Sequence, residues 1–396
     1  MLIFHGNNFL SSTKLMERIV IMKLCVFPND PIVSYFEKGE IKDRYYNPEN
    51  LFNEVHIISF IDKDIKESEV QVLAGNAKLK IHSVGKINLK NKKSKIKVIF
   101  SLVKNINPDV IRAYNPLIQG WCAAKCCKEL KIPFFLSLHT QYDHNRKLLK
   151  KTNWKKFLAL KYTEKFIEPF VLKSADKITM VFKIIEPYVK KHVNKKPELL
   201  HNKVDFERFA NASPLTSLPK PLIISVGRLI PEKNHQCIIK AMEKINAHCL
   251  IIGNGSQYPE LSNMIKNTKT KKITIKKYVP NSEIPNYYKS AQIFVLAYDP
   301  ELEGLPIPVM EAMSVGLPIV IPYPKEGYSE GLEDVVVFSK RDSVSFAENI
   351  NKLLDSPELR KKYSQISQNK AKKFDSVIIE KKEVDIYREL MEKDRE

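Results

Sequence analysis

From Met22 onward the chain alternates short apolar runs of strand length with longer stretches of helical periodicity. That alternation confines it to parallel sheets built from β-α-β units. Expected strands in the first half are 23–27, 55–60, 70–73, 110–113, 134–138, 177–181 and 198–200, with helices at 96–106, 118–130 and 154–174 between them. The run 211–219, rich in Ser, Pro and Thr, breaks the pattern as a linker does. A second alternation follows, with strands at 222–226, 247–252, 272–276, 293–297, 318–321 and 335–338. Its helices fall at 235–245, 258–266, 284–290 and 308–315. The expected fold class is therefore α/β: two Rossmann-like, doubly wound domains at 22–210 and 211–372, and a helical, charged closing segment at 373–396.

Length agrees with this division, because 396 residues exceed what one hydrophobic core ordinarily serves. Hydrophobic residues make up 43% and charged residues 28%, which excludes a disordered chain, and no apolar run reaches the ~18 residues of a bilayer-spanning helix. The net charge of +20 points to an anionic partner without choosing among nucleic acid, a membrane face and a phosphorylated substrate. Six irregularly spaced cysteines do not make a disulfide framework, and a reducing, cytoplasmic location is expected. Cys122 and Cys126 are one helical turn apart but lack companion ligands, so they read as small buried hydrophobes rather than a metal site. Residues 1–21 have neither a basic region nor a continuous apolar core, and read as an extension rather than a signal peptide.

The second domain is organised around 298–318, Tyr-Asp-Pro-Glu-Leu-Glu-Gly-Leu-Pro-Ile-Pro-Val-Met-Glu-Ala-Met-Ser-Val-Gly-Leu-Pro. Strand, acidic loop and helix N-terminus follow one another here, the arrangement that presents free N–H groups to anions at the carboxyl edge of a parallel sheet. Glu303 sits in the loop and Glu311 about one turn into the helix, both bordering one crevice. Upstream, Gly227, Arg228 and Lys233 lie between a strand and a helix, a glycine for the turn and two cations suited to a diphosphate. Taken singly, Arg228 and Lys233 read equally well as solvated loop cations, and Glu311 as a charge complementing its helix dipole. Their conjunction in one domain favours a ligand. The first domain has no G-x-G-x-x-G after its opening strand, which disfavours a dinucleotide-dependent dehydrogenase.

Three motifs carry a family resemblance: Gly227-Arg-Leu-x-x-x-Lys233, Leu250-Ile-Ile-Gly-Asn-Gly255 and Glu303-Gly-Leu-Pro-x-x-x-x-Glu311-Ala-Met-x-x-Gly316-x-Pro318. The chain resembles the retaining glycosyltransferases of family 4 from Met22 to about Glu392. The resemblance implies the GT-B architecture, two domains facing a central cleft with a terminal helix crossing back to the first. It also implies that Arg228 and Lys233 bind the donor diphosphate, that Glu311 holds the ribose hydroxyls, and that Glu303 faces the transferred sugar. Gly227 and the backbone at Gly304, Leu305 and Ile307 would line the donor, Tyr278 and Val279 would lie near its base, and His139 would reach the sugar from the first domain. Catalytic roles then fall to Glu303, His139, Arg228 and Lys233. Pro306 and Lys203 stand where glycine is common in the family; the first removes an N–H donor and the second puts one turn's geometry in question.

The reaction implied is transfer of a hexose-type sugar from a nucleotide-diphosphate sugar to a glycan or lipid-linked acceptor, with no metal or other cofactor. Two readings from other classes share the fold: a non-catalytic sugar-nucleotide or polyanion binder, and a sugar-nucleotide epimerase. On the acceptor side, 37–46 with its charges and paired Tyr45 and Tyr46 is the expected acceptor-facing loop. Two basic stretches, 86–97 and 146–165, combine lysines with Leu148, Leu149, Trp154, Phe157 and Leu158. They fit either an anionic membrane surface at the inner face, where the enzyme would be peripheral, or ordinary core packing. No recognition motif supports nucleic acid as the partner.

Overall fold

The computed structural model describes residues 21–88 and 90–393. The leading extension, apart from Ile21, lies outside the described residues. Seven strands form the first sheet: β1 (Lys23–Phe27), β2 (Glu54–Ser59), β3 (Lys78–Ser83), β4 (Val110–Ala113), β5 (Phe134–Leu138), β6 (Lys177–Met180) and β7 (Glu198–Leu199). Their order is β3-β2-β1-β4-β5-β6-β7. The second sheet contains β8 (Leu222–Val226), β9 (His248–Ile252), β10 (Ile273–Lys276), β11 (Ile293–Val295), β12 (Ile319–Pro322) and β13 (Val337–Ser339), in the order β10-β9-β8-β11-β12-β13. The pairings flanking β1 and β8 are all parallel. In both sheets the strand order reverses beside the first strand, between β1 and β4 and between β8 and β11. Crevices at such switch points are where open α/β sheets bind ligands.

The expected α/β class with two Rossmann-like domains is thus the one observed. Two sequence expectations fail. Residues 70–73 form helical turns, Glu67–Val70 running into the 3-10 turn Gln71–Ala74, and the edge strand is instead β3. The alternation of Lys78, Lys80 and His82 with Leu79 and Ile81 is that of an edge strand open on one side, whereas central strands such as β1, β5 and β8 are largely apolar runs. Likewise 154–174 is two helices, Trp154–Phe166 and Glu168–Ser174, because Pro169 in the first turn of the second cannot continue the first.

The chain leaves the second domain through helix Pro357–Ala371, which packs on Ile307–Val315 with Ser367 donating to the Leu317 carbonyl at 3.1 Å. Helix Ser376–Lys393 then lies on the first domain, where Ile379, Ile386, Tyr387 and Leu390 join the core of Leu24, Val55 and Phe135. Each such side chain contributes about 1.5–3 kcal/mol by leaving water. Lys203 adopts no left-handed φ, so its turn needs no glycine. Its Nζ donates to Glu380 at 2.9 Å, clipping this helix to the first domain.

Several histidines are folded into this framework uncharged. Burial, followed by the neighbouring His56, pulls His82 down to about 4; burial also takes His201 and His235 to about 4. In the unfolded chain these rings titrate near 6.5. Between those values the unfolded state binds more protons, so stability is complete above about pH 6.5 and is lost as pH falls towards 4. Each ring contributes a slope of roughly 1 kcal/mol per pH unit. Urea midpoints measured from pH 7 to pH 5 are expected to fall steeply, and His82→Gln should flatten the slope; a pH-independent midpoint would contradict these burials.

Candidate active site

Gly227 and Arg228 follow β8, and the loop after β11 carries Asp299 to Pro306, so both expected donor segments sit at the second sheet's switch point. The β8 loop runs against the β9 loop, with the Leu229 N–H donating to the Asn254 carbonyl at 2.9 Å. A Cβ on Gly253 would lie 2.0 Å from the Gly227 carbonyl oxygen, so this close approach requires glycine. Lys233 ends the 3-10 turn Pro231–Lys233 and is buried; Arg228 stays exposed.

Lys233 and Glu303, 70 positions apart, meet directly: Nζ donates to Oε2 at 2.6 Å. The Lys233 ammonium also stands 5.9 Å from the Tyr298 ring centroid. Tyr298 in turn donates its hydroxyl hydrogen to the Gly304 carbonyl at 2.9 Å, fixing the loop. Glu311 is not part of this pair. It lies in helix Ile307–Val315 and accepts from the Tyr288 hydroxyl at 2.9 Å. The N–H groups of Gly304, Leu305 and Ile307 donate to no protein acceptor among the described residues, and Pro306 has none to give.

The first domain supplies His139 at the end of β5. Its Nε2 is buried without a partner, its ring lies 5.2 Å from that of Tyr114, and burial, reinforced by Arg112, brings it down to about 3. It is a neutral imidazole with one nitrogen free. His139 lines a cavity shared with Lys42, Tyr45, Lys203 and, from the second domain, Ile307, so the two domains meet there. Arg228, Lys233, Glu303 and Glu311 do not line that cavity. Of the expected acceptor loop, Lys42 and Tyr45 face the cavity, but Tyr46 is core, edge-on to Tyr114. Tyr278 is exposed and projects from the second domain towards this loop: a Cβ on Gly39 would lie 3.3 Å from its ring. Val279 is half-buried beside it.

Three residues that sequence reasoning passed over shape the site, two of them across the cleft. His144 Nε2 lies 2.9 Å from Asp299 Oδ2, linking the first domain to the donor loop. Glu330, with a left-handed φ of 57°, accepts from the Lys183 N–H at 2.7 Å across the cleft, while its Oε2 is buried without a hydrogen bond, 4.0 Å from His201 Nε2. Burial raises the Glu330 carboxyl above its usual range. Its Oε1 would be 2.7 Å from a Cβ on Gly304, so the glycine is also what lets the two loops touch. His235 lies fully buried beneath Gly227, with Nδ1 3.4 Å from Ser225 Oγ. Glu330 had a local signal, the glycines at 327 and 331 around it; His144 had none.

Comparison with known proteins places this architecture. Residues 51–208 match Glycosyltransferase Family 4, and 207–370 match Glycosyl transferases group 1, the second match holding the Lys233–Glu303 pair and Glu311. The chain belongs to the group 1 glycosyltransferases. The alpha-monoglucosyldiacylglycerol synthase of Acholeplasma laidlawii is 21% identical over 74% of this chain and 78% of its own length. The amylovoran biosynthesis glycosyltransferase AmsD of Erwinia amylovora is 29% identical over 41% of this chain and 47% of its own length. Among solved structures, Anabaena HepE in complex with UDP-glucose superposes with a TM-score of 0.70 at 15% identity, covering 93% of this chain and 100% of that one. This group 1 glycosyltransferase shares the two-domain GT-B fold with that solved structure.

Proposed function

We propose that this glycosyltransferase moves a hexose-type sugar from a nucleotide-diphosphate donor to a glycan or lipid-linked acceptor, with retention of configuration and without a metal ion. The observation that carries the reading is the Lys233–Glu303 pair beside unpaired loop N–H groups: a cation and a carboxylate held 2.6 Å apart, each able to exchange the other for a ligand group. A diphosphate would draw Lys233, Arg228 and the N–H groups of Gly304, Leu305 and Ile307, and Glu303 would turn to the sugar hydroxyls. Glu311, oriented by Tyr288, would take the ribose hydroxyls. A solved neighbour bound to UDP-glucose and a relative named for a glucosyl lipid support the donor and acceptor classes.

In the reaction, the acceptor hydroxyl attacks C1 on the face the diphosphate leaves. The C1–O bond to phosphate breaks as the C1–O bond to the acceptor forms, and the hydroxyl proton passes to the departing phosphate oxygen. Charge builds on the diphosphate, where preorganised cations and N–H groups act most strongly. His139, neutral with Nε2 free, would hydrogen-bond a sugar hydroxyl without adding charge. Closure across the Glu330–Lys183 and His144–Asp299 contacts would keep water from the donor.

The test is a thermal-shift panel of nucleotide sugars, followed by turnover of the best donor in the absence and presence of EDTA. One donor is expected to stabilise the chain, by about 2.7 kcal/mol at 100 times its Kd, and EDTA should leave its slow hydrolysis unchanged. Glu311→Ala should weaken both the sugar nucleotide and the plain nucleoside diphosphate, whereas Glu303→Gln should impair turnover and leave diphosphate binding nearly intact. Donor isomerisation without hydrolysis or transfer would replace this reading with an epimerase, and binding without turnover would leave a binding protein.

A further inference from the structure

Helix Trp154–Phe166 contributes no residue to any of the three hydrophobic cores. Only Thr163 in it is fully buried. Trp154, Leu158, Tyr162 and Phe166 recur every fourth residue along one ridge, and they are 62%, 54%, 37% and 57% exposed. An apolar ridge of this kind is not spent on folding.

The structure also brings together the two basic stretches, which the sequence separates. Lys92, at the start of helix Lys92–Ile106, donates to the Tyr162 hydroxyl at 3.1 Å, and its ammonium stands 5.5 Å from the Trp121 ring centroid. Lys92 thereby joins to the ridge a helix that also carries the exposed Lys93, Lys97 and Val98. Lys150, Lys151, Lys155 and Lys156 surround the start of the ridge and form no ion pair among the described residues. The nearby acids are already engaged: Glu164 with Lys161 and Lys191, Asp143 and Glu168 with Arg146. The face therefore offers free positive charge around exposed tryptophan, leucine and phenylalanine.

We propose that this face docks the protein on an anionic lipid surface. Aromatic and aliphatic side chains would enter the interface while the lysines meet lipid phosphates, the division of labour of an amphipathic interfacial helix. Nucleic acid fits less well, because the exposed aliphatic Leu158 in the middle of the ridge has no counterpart among stacked bases, whereas acyl chains accept it. The placement serves the cleft. Helix Tyr142–Thr152, about 16 Å long at 1.5 Å per residue, joins the ridge to His144, which bonds the donor loop at Asp299. A cleft held one short helix from the lipid would receive an acceptor anchored there.

The test uses the full chain with sucrose-loaded vesicles of phosphatidylcholine alone or mixed with phosphatidylglycerol, followed by sedimentation. Binding is expected only to the phosphatidylglycerol vesicles and should weaken with salt. The partition coefficient should drop about fivefold for each of Lys155→Gln and Lys156→Gln. It should drop at least about tenfold for Trp154→Ser/Leu158→Ser/Phe166→Ser. These exposed substitutions should leave the melting curve and its shift by nucleotide sugar unchanged, so a failure of docking and a failure of the proposed reaction are separable. No sedimentation at low salt, equal binding to both vesicle types, or binding that the triple substitution leaves intact would overturn the proposal. So would a dimer in solution that the triple substitution converts to monomer, since a second copy would then cover the ridge.

Discussion

Lys233→Ala is expected to lower kcat/KM for sugar transfer by about one to two decades, and its combination with Arg228→Ala by two to four, since each charge-assisted contact supplies about 1.5–3 kcal/mol. The ion pair with Glu303 makes the experiment more specific than a loss of rate. Removing the lysine leaves a carboxylate with only a fifth of its side chain exposed and no cation, which should cost about 1–3 kcal/mol of stability. Lys233→Ala/Glu303→Gln should recover most of that stability while recovering none of the rate. Arg228→Ala, at an exposed position, should slow transfer without the stability loss. Chemical denaturation and steady-state kinetics on the same four proteins separate the two effects. A Lys233→Ala enzyme with near-normal rate and lowered stability would mean that the lysine only neutralises Glu303.

Local patterns in the sequence foretell most of this arrangement, and the exceptions have a common cause. β1, β5 and β8 appear in the sequence as largely apolar runs because both faces of a parallel sheet are covered. The edge strand β3 does not, since half its residues face solvent and lysines occupy them. In the site, glycine next to cation and carboxylate next to helix start are neighbours in sequence, so Gly227, Arg228, Glu303 and Glu311 could be picked out before the fold was known. That Lys233 reaches Glu303 rather than standing alone could not, as the contact spans 70 positions. Cross-domain ties are further apart still: His144 and Asp299 by 155, Lys183 and Glu330 by 147. A hydrogen bond across a cleft imposes no periodicity on either segment. The ridge on Trp154–Phe166 shows the converse, for its periodicity is clear but does not say whether the ridge meets core or solvent.

The largest effect on stability is expected from Glu383→Ala. Glu383, on the closing helix, forms a buried ion pair with Arg112 of β4, 271 positions earlier. Tyr387 Oη accepts from Arg112 at 2.9 Å, and Arg112 Nε donates to Ser137 Oγ at 3.2 Å. The guanidinium carbon stands 4.5 Å from the ring centroids of both Tyr114 and Phe135. Taking Glu383 away leaves that guanidinium buried and unpaired, a change that typically costs about 3–5 kcal/mol. Arg112→Met/Glu383→Leu should be markedly more stable than Glu383→Ala, because an apolar pair of similar volume needs no compensation. The two variants should then part company in activity. The pair fastens to the first domain a helix whose preceding turn leaves the second, and Arg112 and Glu383 line the cavity with His139. If that attachment sets the angle between the domains, the apolar pair will melt near the wild-type temperature yet turn over more slowly, with the deficit in kcat rather than in donor affinity. Equal kcat in wild type and the apolar variant would confine the Arg112–Glu383 pair to stability alone.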